Sequence, residues 1–278
     1  MPSDSISSAM EYGLEHARNL LAGRQILTLT GAGISTDSGI PDYRGAGRVP
    51  RHPLTFDDFM GSKQNQARYW ARSYVGWSRV ERALPNAGHQ ALAAAEASGR
   101  VFSIITQNVD GLHQKAGSKN VLELHGRLDR VLCTGCGDIL SRPELDARIA
   151  KLNPEVNRFQ DVEFTPDGDA EVEVGKNFRV PECGSCGAHY KPDVVFFGEQ
   201  VPLTRVEAAE QLVGQAEGLL VAGTSLTVNS GLRLVKRAQK RGIPIVIVNQ
   251  GDTKADLIAN VKLSASTTDL LGAILNDQ

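Results

Sequence analysis

The stretch "ILTLTGAGISTDSGIPDYRG", Ile26 to Gly45, joins a run of aliphatic and β-branched residues to a glycine-bearing turn. Ile26 to Thr30 reads as a short buried strand. Glycines straight after a strand let the backbone approach a phosphate, whose charge is stabilised by N–H groups at the next helix start. A dinucleotide fingerprint G-x-G-x-x-G needs a third glycine, but after Gly31 and Gly33 this chain has Thr36. No acidic residue closes a recognisable second strand roughly 20 residues on, so an ordinary dehydrogenase is disfavoured. Asp42, Tyr43 and Arg44 add charge and an aromatic ring that a phosphate loop does not need.

Working outward, three more runs share the character of Ile26 to Thr30: "VFSIITQ" from Val101, "GLLVAGTS" from Gly218 and "IPIVIVNQ" from Ile243. Such near-continuous apolar, β-branched runs are expected of parallel strands covered on both faces. Helical stretches precede them: "NAGHQALAAAEASG", "TRVEAAEQLVGQAEG" and "GLRLVKRAQKRG". Gly218 and Gly242 end two of these helices and introduce the next strand. Met10, Leu14, Ala17, Leu20 and Leu21 recur at helical spacing and predict an opening amphipathic helix that ends near Gly23. Strand alternating with helix implies an α/β fold: a Rossmann-like, doubly wound parallel sheet.

Two regions break that rhythm. Residues 46–84 hold both tryptophans and two of the five tyrosines and read as helical. Residues 131–189 hold all four cysteines, as "CTGC" (Cys133, Cys136) and "CGSC" (Cys183, Cys186), around an acidic middle, "DVEFTPDGDAEVEVG", that reads as a polar hairpin or loop. Two Cys-x-x-Cys pairs in a reducing compartment point to one tetrahedral Zn²⁺. With four thiolate ligands no coordination position stays open, so the ion is structural. The 46 residues between the pairs far exceed the roughly 15–20 of a compact ribbon, so the site holds an insertion. The expected organisation is a discontinuous Rossmann-like domain of residues 1–45, 85–130 and 190–278. A smaller discontinuous domain joins the helical insert, 46–84, to the zinc-binding module, 131–189.

At 278 residues the chain can bury a sizeable core, and 41% hydrophobic with 22% charged residues is ordinary for a globular enzyme. A net charge of -2 offers no basic footprint for nucleic acid. No apolar stretch approaches the roughly 18 residues of a membrane span. The first residues lack a basic and an apolar region and carry Asp4, Glu11 and Glu15, unlike a signal or transit peptide. The expectation is a cytoplasmic monomer without nucleic-acid or membrane partners.

The chemistry concentrates at predicted strand ends. "TQNVDGLH", Thr106 to His113, places Gln107, Asn108 and Asp110 where α/β sheets bind ligands. "VLELHGRLDRVLC" places His125 between a strand-like run and Gly126. His16, His52, His89 and His189 take a structural reading, while His113, beside the amide and carboxylate cluster, stays open.

In order along the chain, "GAGIS…GIPDYRG", "TQNVDGLH", "ELHG", the paired Cys-x-x-Cys, "PDVVFFGE", "GTSL" and "VNQG" resemble the sirtuins, NAD-dependent protein-lysine deacylases. The resemblance runs from about residue 20 to the end and is greatest with the class II branch. It implies that Gly31, Ala32, Gly33, Ile34 and Ser35 line the diphosphate and adenosine side of NAD. Asp42, Tyr43 and Arg44 would belong to a loop that orders around the nicotinamide ribose. Gln107 and Asn108 would hold ribose hydroxyls and a water, and Asp110, next to Val109, the carboxamide. Gly223, Thr224, Ser225, Asn249, Gln250, Gly251 and Thr267 would complete the cofactor set. His125 would be the general base, aided catalytically by Asn108 and Asp110. Val195, Phe196, Phe197 and Gly198 would bind an acyl-lysine peptide, which adds as a strand between them and "VNSGLRL". NAD is then a co-substrate: nicotinamide leaves, and the acyl group passes to ADP-ribose once histidine, whose pKa lies near working pH, removes a ribose proton.

Tyr69 and Arg72 have the Tyr-x-x-Arg spacing that pairs with an acyl carboxylate in desuccinylating sirtuins, and arginine binds carboxylates bidentately. The alternative is an aromatic helix packed in the small domain, with Arg68 and Arg72 solvated. The expectation is that longer or acidic acyl groups are accepted in preference to acetyl. The rival activity is mono-ADP-ribosyl transfer through the same NAD cleavage. A non-catalytic NAD or acyl-lysine sensor and a zinc-ribbon nucleic-acid binder are weaker rivals.

Overall fold

Our computed structural model describes residues 3–43, 54–159, 162–170, 172 and 177–276. In chain order its elements are α1 (Ser3–Leu21), β1 (Ile26–Thr30), α2 (Phe56–Gly61), α3 (Lys63–Arg82), α4 (Ala87–Ala97), β2 (Val101–Thr106), α5 (Leu112–Lys115), β3 (Val121–Glu123) and β4 (Gly126–Cys133). There follow β5 (Ile139–Ser141), α6 (Arg142–Leu152), β6 (Tyr190–Val194), α7 (Leu203–Gln215), β7 (Gly218–Ala222), α8 (Asn229–Lys240), β8 (Ile245–Val248), β9 (Val261–Leu263) and α9 (Thr267–Leu275).

Six strands form one parallel sheet in the order β3-β2-β1-β7-β8-β9. The direction of winding reverses between β1 and β7, which pair Ile26 with Gly218 through Thr30 with Ala222. Residue alternation explains why continuous apolar runs suit these strands. Ile26, Ile104, Leu220, Ala222, Val246 and Val248 pack into one core, with α1, α4 and α9. Leu27, Leu29, Ile105, Leu219, Val221, Ile245 and Ile247 pack into another, with α7 and α8. With both faces covered, neither face of the strand has a polar set. The crevice at a winding reversal, outside the carboxyl ends of the strands, is where such sheets bind ligands.

A second, antiparallel sheet, β5-β4-β6, carries the cysteines. It takes in Gly126 to Arg130 and Tyr190 to Val194, which the sequence reading placed with the larger domain. A third core joins α3 to this sheet through Tyr69, Trp70, Tyr74, Trp77, Val131 and Tyr190. Arg142, fully buried, pins α6 to α3: it pairs with Asp146 at 2.8 Å, bonds the Ser73 hydroxyl at 3.0 Å, and lies over the Trp70 and Trp77 rings.

α6 is an element the sequence reading leaves inside the cysteine-bearing region. Its start has a local cause: the Ser141 hydroxyl accepts from the Glu144 N–H, and the Glu144 carboxylate accepts from the Ser141 N–H, with proline in the first turn. The acidic middle contains a tight reversal, with Phe164 bridged to Ala170 and the Thr165 N–H donating to the Asp169 carbonyl. Among the described residues no helix is long and apolar enough to cross a membrane.

Candidate active site

A cleft of about 760 Å³ opens along the carboxyl ends of the strands, within the usual size of small-molecule sites. After β1 it is lined by Gly31, Ala32, Gly33 and Ser35, then by Asp42 and Tyr43. After β2 come Gln107, Asn108, Val109 and Asp110, and after β3, His125. Val195 to Gly198 follow β6, Gly223 to Ser225 follow β7, Asn249 to Gly251 follow β8, and Thr267 opens α9. Tyr69 reaches in from α3. Arg44 lies outside the described residues.

Two sequence-named residues are placed elsewhere. Ile34 points its fully buried side chain into the core with Leu92 and Leu271, not into the cleft, because the turn after β1 folds back as a 3-10 helix over Ala32–Ile34. Arg72 lies in an adjoining pocket of about 520 Å³ that shares Tyr69 and Phe197 with the cleft. There its Nε is 2.8 Å from Asp169 Oδ1 and donates to the Ala170 carbonyl at 3.0 Å. The α3 aromatics are core residues: Tyr69 packs edge-on against Phe59 and Phe196. Burial raises the Tyr69 phenol well above its ordinary pKa, so it stays protonated.

The reason for the glycines differs from the sequence reading. A Cβ on Gly33 would lie 2.9 Å from the Gly223 carbonyl oxygen, so the turns after β1 and β7 need glycine to touch each other. The Gly33 N–H donates to that oxygen at 2.8 Å, and those of Gly31, Ile34 and Ser35 also donate within the protein. Four N–H groups are therefore committed within the protein: those of Ile34 and Ser35 to the 3-10 turn itself, and those of Gly31 and Gly33 to the end of β7.

Behind the turn lies a polar cluster. Ser35 Oγ–H donates to Asp110 Oδ2 at 2.7 Å, and Asn108 Nδ2 donates to Ser35 Oγ at 3.1 Å. The other Asp110 oxygen accepts from the Leu112 N–H at 2.8 Å, which fixes the carboxylate. His89, read from sequence as structural, stands 3.5 Å behind Ser35 and faces His113, whose Nε2 bonds Thr30. Burial holds both rings neutral, His89 near about 4 and His113 near about 3.

His125 Nδ1 lies 3.0 Å from the Gln107 carbonyl oxygen, and Nε2 lies 2.8 Å from Ser230 Oγ on α8. A carbonyl only accepts, so Nδ1 carries the proton and Nε2 presents its lone pair. Burial is the main cause holding the ring below the usual histidine pKa; the nearby Arg205 charge adds to it, and the Gln107 bond opposes it. The ring is therefore a neutral base at pH 7. Its neighbour must be glycine: Gly126 has φ +84°, and a Cβ there would collide with the Asp193 carbonyl of β6. Through this contact the base sits against the segment after β6, where the Val195 N–H donates to the His125 carbonyl at 2.9 Å.

The sequence model of the Sir2 family matches residues 31–230, from the β1 turn to the serine beside His125.

The chain belongs to the Sir2 family. It is 51% identical over 263 residues, 93% of each chain, to NAD-dependent protein deacetylase 1 of Mycobacterium avium. It is 45% identical, over 91% of this chain and 83% of the relative, to the NAD-dependent protein deacylase Sirt4 of Drosophila melanogaster. Among solved structures it resembles a Sir2 enzyme with a p53 peptide and NAD⁺, with a TM-score of 0.72 and 32% identity, covering 91% of this chain and 93% of the other.

Cys133, Cys136, Cys183 and Cys186 converge with their sulfurs within 4.8 Å of one another. Two cross-pairs are 3.5 and 3.8 Å apart, close to the edge of about 3.8 Å in a tetrahedron with Zn–S arms of about 2.3 Å. Backbone N–H groups of Ser185 and Cys186 pull the Cys183 thiol down to about 6, the state a metal ligand needs. The quartet fits one structural Zn²⁺.

Sequence reasoning placed Ser230 only within the peptide-docking stretch "VNSGLRL", which from Asn229 onward is helix α8 and not a strand edge, and missed the turn bearing Pro166 and Asp167; all three residues line the cleft. "TPDGD" reads as an ordinary turn, and a serine at a helix start reads as a cap.

Proposed function

We propose that this protein is an NAD-dependent protein-lysine deacylase with His125 as general base. The observation that carries the reading is the state of His125: neutral, with its tautomer fixed by Gln107, and facing the cleft between the β1 turn and the segment after β6. The side-chain-free turns at Gly33 and Gly223 would leave room for the diphosphate to pass close to the backbone, and Ser225 with Asn249 to Gly251 and Thr267 would hold the adenosine half. Asp110, held by Ser35 and Leu112, would meet the nicotinamide carboxamide. Tyr43, 5.8 Å edge-on from Phe197, links the β1 loop to the peptide-binding segment.

Bound NAD supplies an electrophilic ribose carbon once nicotinamide leaves. His125 then takes a proton from a ribose hydroxyl through Nε2. Mono-ADP-ribosyl transfer also releases nicotinamide, but the deacetylase and deacylase relatives favour acyl transfer. The 45% identical relative is named a deacylase and the 51% identical one a deacetylase, so both acetyl and other acyl groups belong in the substrate panel. The reduced cysteine quartet supports a cytoplasmic setting, and a monomer is the simplest assembly for a site built within one chain.

Incubation with NAD and a panel of acetyl, glutaryl and lipoyl lysine peptides, read by mass spectrometry, tests the proposal. Free lysine peptide with O-acyl-ADP-ribose supports it; ADP-ribosylated protein without deacylation supports the rival.

A further inference from the structure

Three hydroxyls surround the start of α8: Ser225, Thr227 and Ser230. A serine in such a place ordinarily caps the helix, yet Val228 holds the N-cap position and no side chain caps α8. Ser225 and Thr227 bond each other at 3.0 Å. Ser230 turns to His125 instead, its Oγ 2.8 Å from Nε2. α8 is pressed against the same strand end, since a Cβ on its Gly231 would lie 2.7 Å from the Gln107 amide nitrogen. Gln107 and Ser230 thus clamp the imidazole from its two nitrogens. Gln107 is itself fixed, because its Oε1 accepts from Thr224 Oγ1 at 2.7 Å.

The direction of each bond follows. Nδ1–H donates to the Gln107 carbonyl, so Nε2 has only a lone pair to offer, and the Ser230 hydroxyl must be the donor. That lone pair is the one the base uses in the reaction. A ribose hydroxyl and the Ser230 hydroxyl are chemically equivalent donors for it, and Nε2 accepts only one at full strength.

We propose that Ser230 is a positioning residue for His125: its hydroxyl occupies the acceptor lone pair in the ligand-free protein, holds the ring aimed into the cleft, and yields that place to a ribose hydroxyl of NAD. This rests on reading His125 as the base. Ser230 is the stand-in for the co-substrate, so the base is pre-oriented before NAD arrives and becomes available only when a competing hydroxyl is seated. A donor to Nε2 also favours the neutral ring, acting in the same direction as Arg205, whose charge is shared with Asp193 at 2.8 Å.

The test needs no activity in its first arm. His125 is titrated by NMR in the ligand-free full chain, its signal assigned with His125→Gln. Ser230→Ala should raise the midpoint by about half a pH unit or more, and Ser230→Thr, which keeps the hydroxyl, should leave it in place. The second arm compares deacylation with exchange of labelled nicotinamide into NAD, which reverses the first bond cleavage and does not call on the base. Ser230→Ala should lower kcat/KM for deacylation about tenfold while exchange stays within about twofold, and Ser230→Thr should restore deacylation. An unmoved titration in Ser230→Ala overturns the inference. So does a parallel fall of both activities that threonine does not rescue. If wild type fails to deacylate any peptide, the functional reading fails instead, and the titration still reports on Ser230.

Discussion

Arg72 of α3 and Asp169 of the 164–170 turn form an ion pair, Nε to Oδ1 2.8 Å, beside the Tyr69 wall of the cleft. The arginine that the Tyr-x-x-Arg spacing offers to an acyl carboxylate already holds a carboxylate of its own chain. An acidic acyl group at Arg72 competes with Asp169 for the same charge. Burial, only partly offset by Arg72, pushes the Asp169 carboxyl up to about 7.

It follows that acidity opens this position. Below about pH 7 Asp169 takes a proton and its hold on Arg72 weakens, while a glutaryl carboxylate, with a pKa near that of Glu at about 4.3, stays charged. The ratio of kcat/KM for glutaryl over acetyl peptide should rise severalfold from pH 8 to pH 6. Asp169→Asn should raise the ratio at pH 8 and flatten its pH dependence, and Arg72→Ala should abolish both effects. A ratio that ignores pH in all three proteins removes Arg72 from acyl recognition.

The buried histidines predict acid lability. His89 and His113 are neutral in the fold, near about 4 and about 3, against 6.5 for an unperturbed ring. Below 6.5 the unfolded chain binds protons that the folded one does not, so stability is complete above 6.5 and is lost as pH falls from there toward 4 and 3. Each ring contributes a slope of up to about 1.4 kcal/mol per pH unit in that window. Denaturant midpoints should fall between pH 7 and pH 5, less steeply in His113→Gln. Equal slopes in the two proteins would contradict this account.

Metal removal should act on the small sheet first. Elemental analysis should find one zinc per chain, and stripping it with a strong chelator should lower Tm by more than about 5 °C, because a closed thiolate site contributes folding free energy directly. Cys183→Ser should reproduce the loss. Full Tm and activity after complete removal of zinc would show that the β5-β4-β6 sheet stands without it.

The strands were legible because β-branched runs such as Ile245–Val248 have few other structures open to them. The cysteines were legible because ligand spacing is local chemistry. α6 had a readable signal in Ser141 and Glu144, masked by the expectation of an irregular zinc module. The 3-10 turn after β1 was not readable, since its geometry comes from contact with Gly223 on a distant strand. The pairs Ser230–His125 and Arg72–Asp169 arise in the same way: tertiary closure brings together residues whose local patterns say only cap, turn and helix.

The most direct test of the central claim is a product assay of His125→Ala beside wild type, with NAD, acyl peptide and labelled nicotinamide in one reaction. Wild type should yield deacylated peptide, O-acyl-ADP-ribose and labelled NAD. His125→Ala, with fold and zinc intact, should lose deacylation by about a hundredfold or more while still exchanging nicotinamide. Deacylation undiminished in His125→Ala would contradict the assignment of the base and the account built on it.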